Sequence, residues 1–195
     1  MNKIIIATHN QGKLKEYKSY LEPLGYEVKS LNDYNISELE EPYNTFEENA
    51  ICKAEYLSKQ INEIVISDDS GICVNALNGK PGVFSARWVR EGASDNENIN
   101  HLWNELKKSK SKDTSAYYNT TIAIAFPNSE TKTVNSKWNG NIIFEKKGNQ
   151  GFSYDPIFYV KELNKTAAEM NVEEKNKYSQ RIKAMKKAVK LLENY

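Results

Sequence analysis

Four clusters along the 195-residue chain carry residue types suited to handling phosphate and a flat aromatic ligand. The first is the loop Thr8-His9-Asn10-Gln11-Gly12-Lys13, which follows a β-branched run and precedes residues at helical spacing. A loop entering a helix offers free backbone N–H groups and the positive end of the helix dipole, a seat for an anion. Gly12 permits close backbone approach and Lys13 adds a mobile cation. The loop is not a Walker A motif, because Leu14 stands where a hydroxyl is needed. Taken alone, it reads better as an ordinary strand-to-helix turn, which α/β folds contain in number.

The second cluster, Asp68-Asp69-Ser70-Gly71, is expected at the carboxyl end of a buried strand, where ligands collect in α/β sheets. Strand alternation predicts that Asp68 and Asp69 face opposite ways and do not share one role. An acidic turn would account for them without function. The third cluster is Glu40-Glu41 ahead of Thr45-Phe46-Glu47-Glu48-Asn49-Ala50. Mg²⁺ is commonly held by one or two carboxylates plus substrate phosphates, so Glu41 with Asp69 is a candidate metal pair, and Lys53, one turn beyond Asn49, a candidate phosphate contact. Glu47 and Glu48 are read as complementing a helix N-terminus. The fourth cluster runs from Gly151-Phe152-Ser153-Tyr154-Asp155-Pro156 to Lys175 and Ser179-Gln180-Arg181. Phe152 and Tyr154 are faces on which a base could stack, and Lys175 and Arg181 are cations for phosphate or a base carbonyl. A tight turn with buried aromatics is the alternative.

These clusters need elements to hold them. Lys3–Ala7 reads as a buried strand, and Leu14, Tyr17, Leu21 and Leu24 as a helix closed by Pro23 and Gly25. Thr45-Phe-Glu-Glu48 has the form of a capping box opening a helix whose apolar stripe is Phe46, Ala50, Ala54, Leu57 and Ile61. Ile64–Ser67 reads as a second buried strand, and Ser94-x-x-Glu97 opens a third helix bearing Ile99, Leu102, Trp103 and Leu106. Thr121–Phe126 and Thr131–Trp138, around Pro127-Asn128, read as antiparallel strands. Tyr178, Ile182, Met185, Val189 and Leu192 line one face of a final helix, with Lys183, Lys186, Lys187 and Lys190 on its solvated side. The fold class expected is α/β, a mixed sheet flanked by helices, treated as one domain over residues 1–195.

Composition excludes several classes. Lys and Arg number 27 against 26 Asp and Glu, a net charge of +1, which argues against a general nucleic-acid coat or a polybasic membrane tether. No apolar run approaches the roughly 20 residues of a membrane helix. The first residues are too weakly apolar for a signal-peptide core, so a cytoplasmic location is expected. Cys52 and Cys73 are expected as free thiols. With two histidines in the chain, acid–base chemistry is expected to fall to carboxylates.

Taken together and in order, these motifs resemble the inosine triphosphate pyrophosphatase family, the XTP/dITP diphosphatases that hydrolyse non-standard purine nucleoside triphosphates. The resemblance rests on Thr8-His-Asn-x-Gly-Lys13 with Glu16, Thr45-Phe-x-Glu-Asn-Ala-x-x-Lys53, Asp68-Asp-Ser-Gly71, Gly79-x-Pro-Gly82, Ser85-Ala-Arg87, Gly151-Phe-x-Tyr-Asp-Pro156 and Glu174-Lys175, with Ser179-x-Arg181 closing the set. It covers nearly the whole chain. It implies an elongated mixed sheet in two lobes with a central nucleotide cleft, a homodimer, and Mg²⁺ as cofactor. It further implies Asp69 as catalytic base and metal ligand, Glu41 as second ligand, and a triphosphate held by Thr8, His9, Asn10, Gln11, Gly12 and Lys13 with Ser70. Phe152, Ser153, Tyr154, Asp155, Lys175, Gln180 and Arg181 would bind the nucleoside. The chain departs from the family at Gln180, where histidine is usual, and at Ser153, where glycine is usual. Both departures fall at the base end, so base selection is where this chain is expected to differ. Competing readings are a Maf-type pyrophosphatase for other modified nucleotides and a nucleotide-binding module without catalysis.

Overall fold

The computed structural model describes residues 2–193 apart from 35, 38 and 40, so Glu40 lies outside the described residues. Strands β1 (Asn2–Ile6), β2 (Tyr26–Ser30), β3 (Val65–Val74), β4 (Ser115–Phe126), β5 (Ser129–Ile142), β6 (Phe158–Val160) and β7 (Lys165–Thr166) form one sheet. Their order is β2-β1-β3-β4-β5-β6-β7. β1 pairs in parallel with both β2 and β3, whereas β5–β6 and β6–β7 are antiparallel, so the sheet is mixed. The helices are α1 (Gln11–Leu21), α2 (Phe46–Ile61), α3 (Asp95–Ser109), α4 (Val172–Tyr178) and α5 (Gln180–Glu193). The chain divides into two compact units, one of Met1–Asp69, Thr120–Ser136 and Arg181–Tyr195, the other of Ser70–Asn119 and Lys137–Gln180.

In the first unit the period of two along each strand sorts side chains between two cores. Ile4, Ile6, Ile66, Ile122 and Ile124 bury against Leu14 and Tyr17 of α1 and Ile182 and Met185 of α5. Their odd-numbered neighbours Ile5, Ala7 and Val65 pack instead with Leu57 of α2. Ala50 and Ala54 meet Ala123 and Ala125, four small side chains that let α2 lie close to β4. In the second unit Ile99, Leu102 and Leu106 of α3 pack with Ile72, Val74, Tyr118, Trp138 and Phe158. The Phe158 ring sits 4.6 Å from Tyr118 and 5.3 Å from Trp138, centroid to centroid. Ser94 and Glu97 close a full capping box at the start of α3.

Four expectations change. β3 does not stop before Asp68 but runs through Asp68–Gly71 to Val74, because the apolar trio Ile72-Cys73-Val74 lets the strand resume. Leu24 is not on α1; it lies in a 3-10 turn closed by left-handed Gly25 and is 54% exposed. The final helical segment is broken at extended Ser179, so Tyr178 ends α4 and is exposed rather than lining α5. At α2 the Thr45 hydroxyl accepts the Glu48 N–H, but the Glu48 carboxylate takes the Thr45 hydroxyl rather than its backbone N–H, which leaves the box half made. Lys183, Lys186, Lys187 and Lys190 are exposed as expected, and both cysteines are free.

Within the second unit, the turn carrying Gly82 and Ser85 approaches Gly71 of β3 closely. A Cβ there would stand 2.2 Å from the Gly82 carbonyl oxygen and 2.5 Å from Ser85 Oγ. That same hydroxyl accepts from the Ile72 N–H at 2.9 Å and donates to the Gly82 carbonyl at 2.6 Å. Gly71→Ala therefore forces backbone apart and is expected to lose about 3 kcal/mol or more in urea unfolding; a loss under ~1 kcal/mol would contradict this packing.

Candidate active site

Asp68 and Asp69 are consecutive on β3, so their carboxylates leave the sheet on opposite faces. Both are almost fully buried. The Asp68 carboxylate lies on the α1–α5 side, with Lys13 Nζ at 3.2 Å and Arg181 Nε at 3.4 Å from its Oδ2. Burial alone would raise its pKa, but Lys13, Arg181 and Lys53 outweigh that and hold it at about 2. Arg181 also forms a buried ion pair with Glu16. The Tyr17 hydroxyl lies in the same buried surroundings, which raise its pKa well above the usual tyrosine value.

Asp69 has the opposite character. Its Oδ2 accepts a hydrogen bond from the Asn49 amide at 3.0 Å. That amide is fixed by a two-way bond with the Tyr43 backbone, at 3.1 and 3.0 Å. Burial first, and then the charge of Glu41, push Asp69 up to about 6 against the pull of Lys53, Lys13 and Asn49. Lys53 pairs with Glu41 and donates to the Asp68 carbonyl at 2.9 Å. Burial disfavours the Lys53 cation, yet Glu41, Asp69 and Asp68 raise its pKa above the ordinary value.

Thr8–Lys13 joins this group from β1. The Ala7 N–H donates to the Ile66 carbonyl at 2.7 Å, which ties the loop to β3. Asn10 caps α1 by accepting the Lys13 N–H at 3.0 Å, and its own N–H donates to Thr8 Oγ1 at 3.1 Å. The leading N–H groups of α1, from Gln11 and Gly12, have no partner within the helix. Gln11 turns its amide back onto the His9 carbonyl at 3.1 Å.

The second unit assembles the other predicted residues. Asp155 is 2% exposed; its Oδ2 accepts from the Phe152 N–H at 2.9 Å and from Lys175 Nζ at 2.6 Å. The Tyr118 hydroxyl donates to its Oδ1 at 3.2 Å. Lys175 also stands 5.0 Å from the centroid of the half-buried Phe152 ring. Gly151 has φ +74°, and a Cβ on it would strike Asp155 Oδ2 at 2.1 Å, so only glycine fits beside this carboxylate. Tyr154 presents no free face: it is 1% exposed in the core, and its hydroxyl donates to the Ser85 carbonyl at 2.8 Å. Ser153 takes the left-handed conformation, φ +58°, with its N–H on Asp95 at 2.7 Å. Ser70 is half-buried on β3. Gln180 is buried and its side-chain Oε1 has no hydrogen-bond partner.

The structure therefore brings Lys13, Glu41, Lys53 and Asp69 together with Thr8–Gly12 in the first unit, and Phe152, Asp155 and Lys175 in the second. Arg181, expected to face substrate, is engaged by Glu16 and Asp68. Two contributors had no role assigned from sequence, Asn49 and Tyr118. Asn49 was legible in principle, since it sits one turn before Lys53 on the same helix face. Tyr118 was not, because nothing local links it to Asp155. Among the described residues no three His, Cys, Asp or Glu side chains group as a metal cage. Glu41 and Asp69 nevertheless fit a hard divalent cation. Each burdens the other with like charge, which a cation relieves, and ligand phosphates and water complete such sites.

A mixed α/β sheet whose central strand presents an acid–lysine cluster beside a helix N-terminus is the arrangement of a phosphate-handling protein. The model describing the Ham1 family matches residues 4–191, and the chain belongs to that family. It is 49% identical over 194 residues to the dITP/XTP pyrophosphatase of Bacillus subtilis (strain 168), an alignment covering 99% of this chain and 98% of that one. Identity to the dITP/XTP pyrophosphatase of Streptococcus pneumoniae serotype 4 is 45%, over 98% and 97% of the two chains. Among solved structures, a HAM1 protein from Coxiella burnetii superposes with TM-score 0.90 at 36% identity, over 100% of both chains. The Staphylococcus aureus Ham1 protein superposes with TM-score 0.86 at 40% identity, over 99% of each.

Two stability predictions follow from the site. Asp69 is a buried acid whose folded pKa, about 6, exceeds its ordinary 3.8. Its cost to folding is absent below pH 4, grows between pH 4 and 6 and is complete above. In metal-free buffer, Asp69→Asn should raise stability at pH 7.5 by up to ~3 kcal/mol, with the gain gone at pH 4; equal melting temperatures at both pH values would contradict the shift. Ser153→Gly relieves a left-handed serine and should add roughly 0.5–1 kcal/mol, read by chemical denaturation.

Proposed function

We propose that the protein hydrolyses non-standard purine nucleoside triphosphates, ITP, dITP and XTP, to the monophosphate and pyrophosphate, and so cleanses the nucleotide pool. The observation that carries this reading is the placement of Asp69: a buried carboxylate held by the Asn49 amide beside the Glu41–Lys53 pair. A carboxylate so placed can hold a divalent cation with Glu41 and take a proton from water.

In this reading the N-terminus of α1, with Thr8, Asn10 and Lys13, receives the triphosphate, and Ser70 adds a hydroxyl. Lys13 and Lys53 neutralise phosphate charge, which phosphoryl transfer requires more than covalent chemistry. Glu41 and Asp69 would hold Mg²⁺, which supplies further neutralisation of the phosphate oxygens. Asp69 takes a proton from water as the water oxygen bonds to the α-phosphorus. The bond from that phosphorus to the bridging oxygen breaks, and pyrophosphate leaves with the electron pair. Phe152 and Lys175 are assigned to the base, with Asp155 and Tyr118 holding them in place. Gln180 is assigned a hydrogen-bond acceptor's role through its unpartnered Oε1. A 6-oxopurine offers N1–H to an acceptor, whereas adenine N1 is itself an acceptor, so ATP would leave two lone pairs opposed. A homodimer in the cytoplasm completes the reading, carried by the family resemblance. Among the described residues no helix is long and apolar enough to cross a membrane.

Pyrophosphate release measured with Mg²⁺ should be fast for ITP, dITP and XTP and at least ~100-fold slower for ATP. Asp69→Asn and chelation of the metal should each abolish it. Equal rates for ATP and ITP would remove the role given to Gln180, and release confined to modified pyrimidines would favour the Maf-type reading. Binding without release would leave a nucleotide-binding module.

A further inference from the structure

The His9 side chain turns out of the Thr8–Lys13 loop toward the segment after β2. Its Nε2 lies 3.0 Å from the backbone oxygen of Ile36, and its Nδ1 lies 2.6 Å from the Asn32 side-chain oxygen. A neutral imidazole donates at one nitrogen and accepts at the other. Nε2–H on the Ile36 carbonyl, with the Asn32 amide turned to offer N–H to Nδ1, satisfies both contacts. The segment that His9 grips follows β2 and leads along the chain to Glu41.

Other contacts hold the described residues of that segment, among them the Ile36 N–H on the Leu31 carbonyl at 3.3 Å. Its start is fixed by Asp33, which accepts from the Ser30 N–H at 2.7 Å and the Ser30 hydroxyl at 3.1 Å. Leu31, with Tyr34 and Ile36, packs on Leu57 and Ala7. A small void lies between Ala7, Leu31, Ile36, Leu39, Lys53 and Tyr56. Its far end is held by the Lys53–Glu41 pair. Among the described residues His9 is thus a polar tie between the loop read as the phosphate seat and the segment carrying Glu41.

We propose that His9 is a positioning residue for the divalent-cation site: it does not hold phosphate but ties the Thr8–Lys13 loop to the Asn32–Ile36 segment and so sets Glu41 opposite Asp69. This rests on the reading of Glu41 and Asp69 as the metal pair. Two bonds replaced by water over a partly packed segment leave Glu41 more conformations to lose when it binds a cation, which weakens binding without altering the ligands.

The test is Mn²⁺ binding to the nucleotide-free protein, followed by electron paramagnetic resonance of the unbound ion, alongside calorimetric binding of inorganic pyrophosphate in metal-free buffer. His9→Ala is expected to weaken Mn²⁺ roughly 10-fold and to leave pyrophosphate affinity within about twofold of the parent, since Thr8, Asn10 and Lys13 remain. His9→Gln, whose amide can reach the Nε2 position, should restore most of the Mn²⁺ affinity through the Ile36 carbonyl. Asn32→Ser, which leaves the phosphate loop untouched, should weaken Mn²⁺ to a smaller degree and keeps the test open if His9→Ala does not fold. Unchanged Mn²⁺ binding in His9→Ala overturns the proposal. So does a loss of pyrophosphate binding, alone or together with Mn²⁺, because His9 would then be a phosphate ligand or a general support of the loop. Failure of the parent protein to bind Mn²⁺, or retention of binding in a Glu41→Gln, Asp69→Asn double variant, would instead overturn the metal-pair reading itself.

Discussion

Two adjacent carboxylates buried on one central strand are the constraint around which the first unit is built. Alternation forces them onto opposite faces, and each face must then supply what a buried charge needs. On the α1–α5 face the supply is ample: Lys13 and Arg181 meet Asp68, and Glu16 balances Arg181. On the α2 face it is shorter: burial and the like charge of Glu41 outweigh Lys53, Lys13 and the Asn49 amide at Asp69. The result is a pair of neighbours about four pH units apart in acidity, one at about 2 and the other at about 6. One is thereby held firmly as an anion and the other is not.

The remaining elements of that unit are explicable as ways of delivering partners to these two atoms. α1 brings Lys13 and Glu16 from one turn of helix. α2 brings Asn49 and Lys53 from one face, and its alanines allow it to approach β4 closely enough to do so. α5 brings Arg181 at its first turn, which is possible because the chain breaks at Ser179 rather than continuing α4. In the second unit Asp155 plays a similar organising part, gathering Phe152, Lys175 and Tyr118, but with every contact satisfied.

Much of this was legible in the sequence where the signal was local. The opposite roles of Asp68 and Asp69 follow from strand geometry alone, and the loop, the α2 stripe and the Ser94–Glu97 cap from spacing. What was not legible depended on tertiary choice. Arg181 looks like a ligand-facing cation until the fold sets it against Glu16, 165 positions away in the chain. Tyr154 looks like a stacking platform until its hydroxyl finds the Ser85 carbonyl. The extension of β3 through a polar quartet runs against propensity, because Asp, Ser and Gly are poor strand formers; the apolar residues on either side and the partners waiting on each face override it.

The Glu16–Arg181–Asp68–Lys13 chain of charges also bears on how such a protein can change over time. Loss of Arg181 takes that cation from the buried Glu16 and leaves Asp68 with one cation fewer, and that is far more damaging than replacing the set with a neutral one. A single step at Arg181 is therefore costly, and a neutral replacement calls for changes at positions far apart in the chain to occur together. Substitution of the exposed lysines on the same α5 carries no such cost.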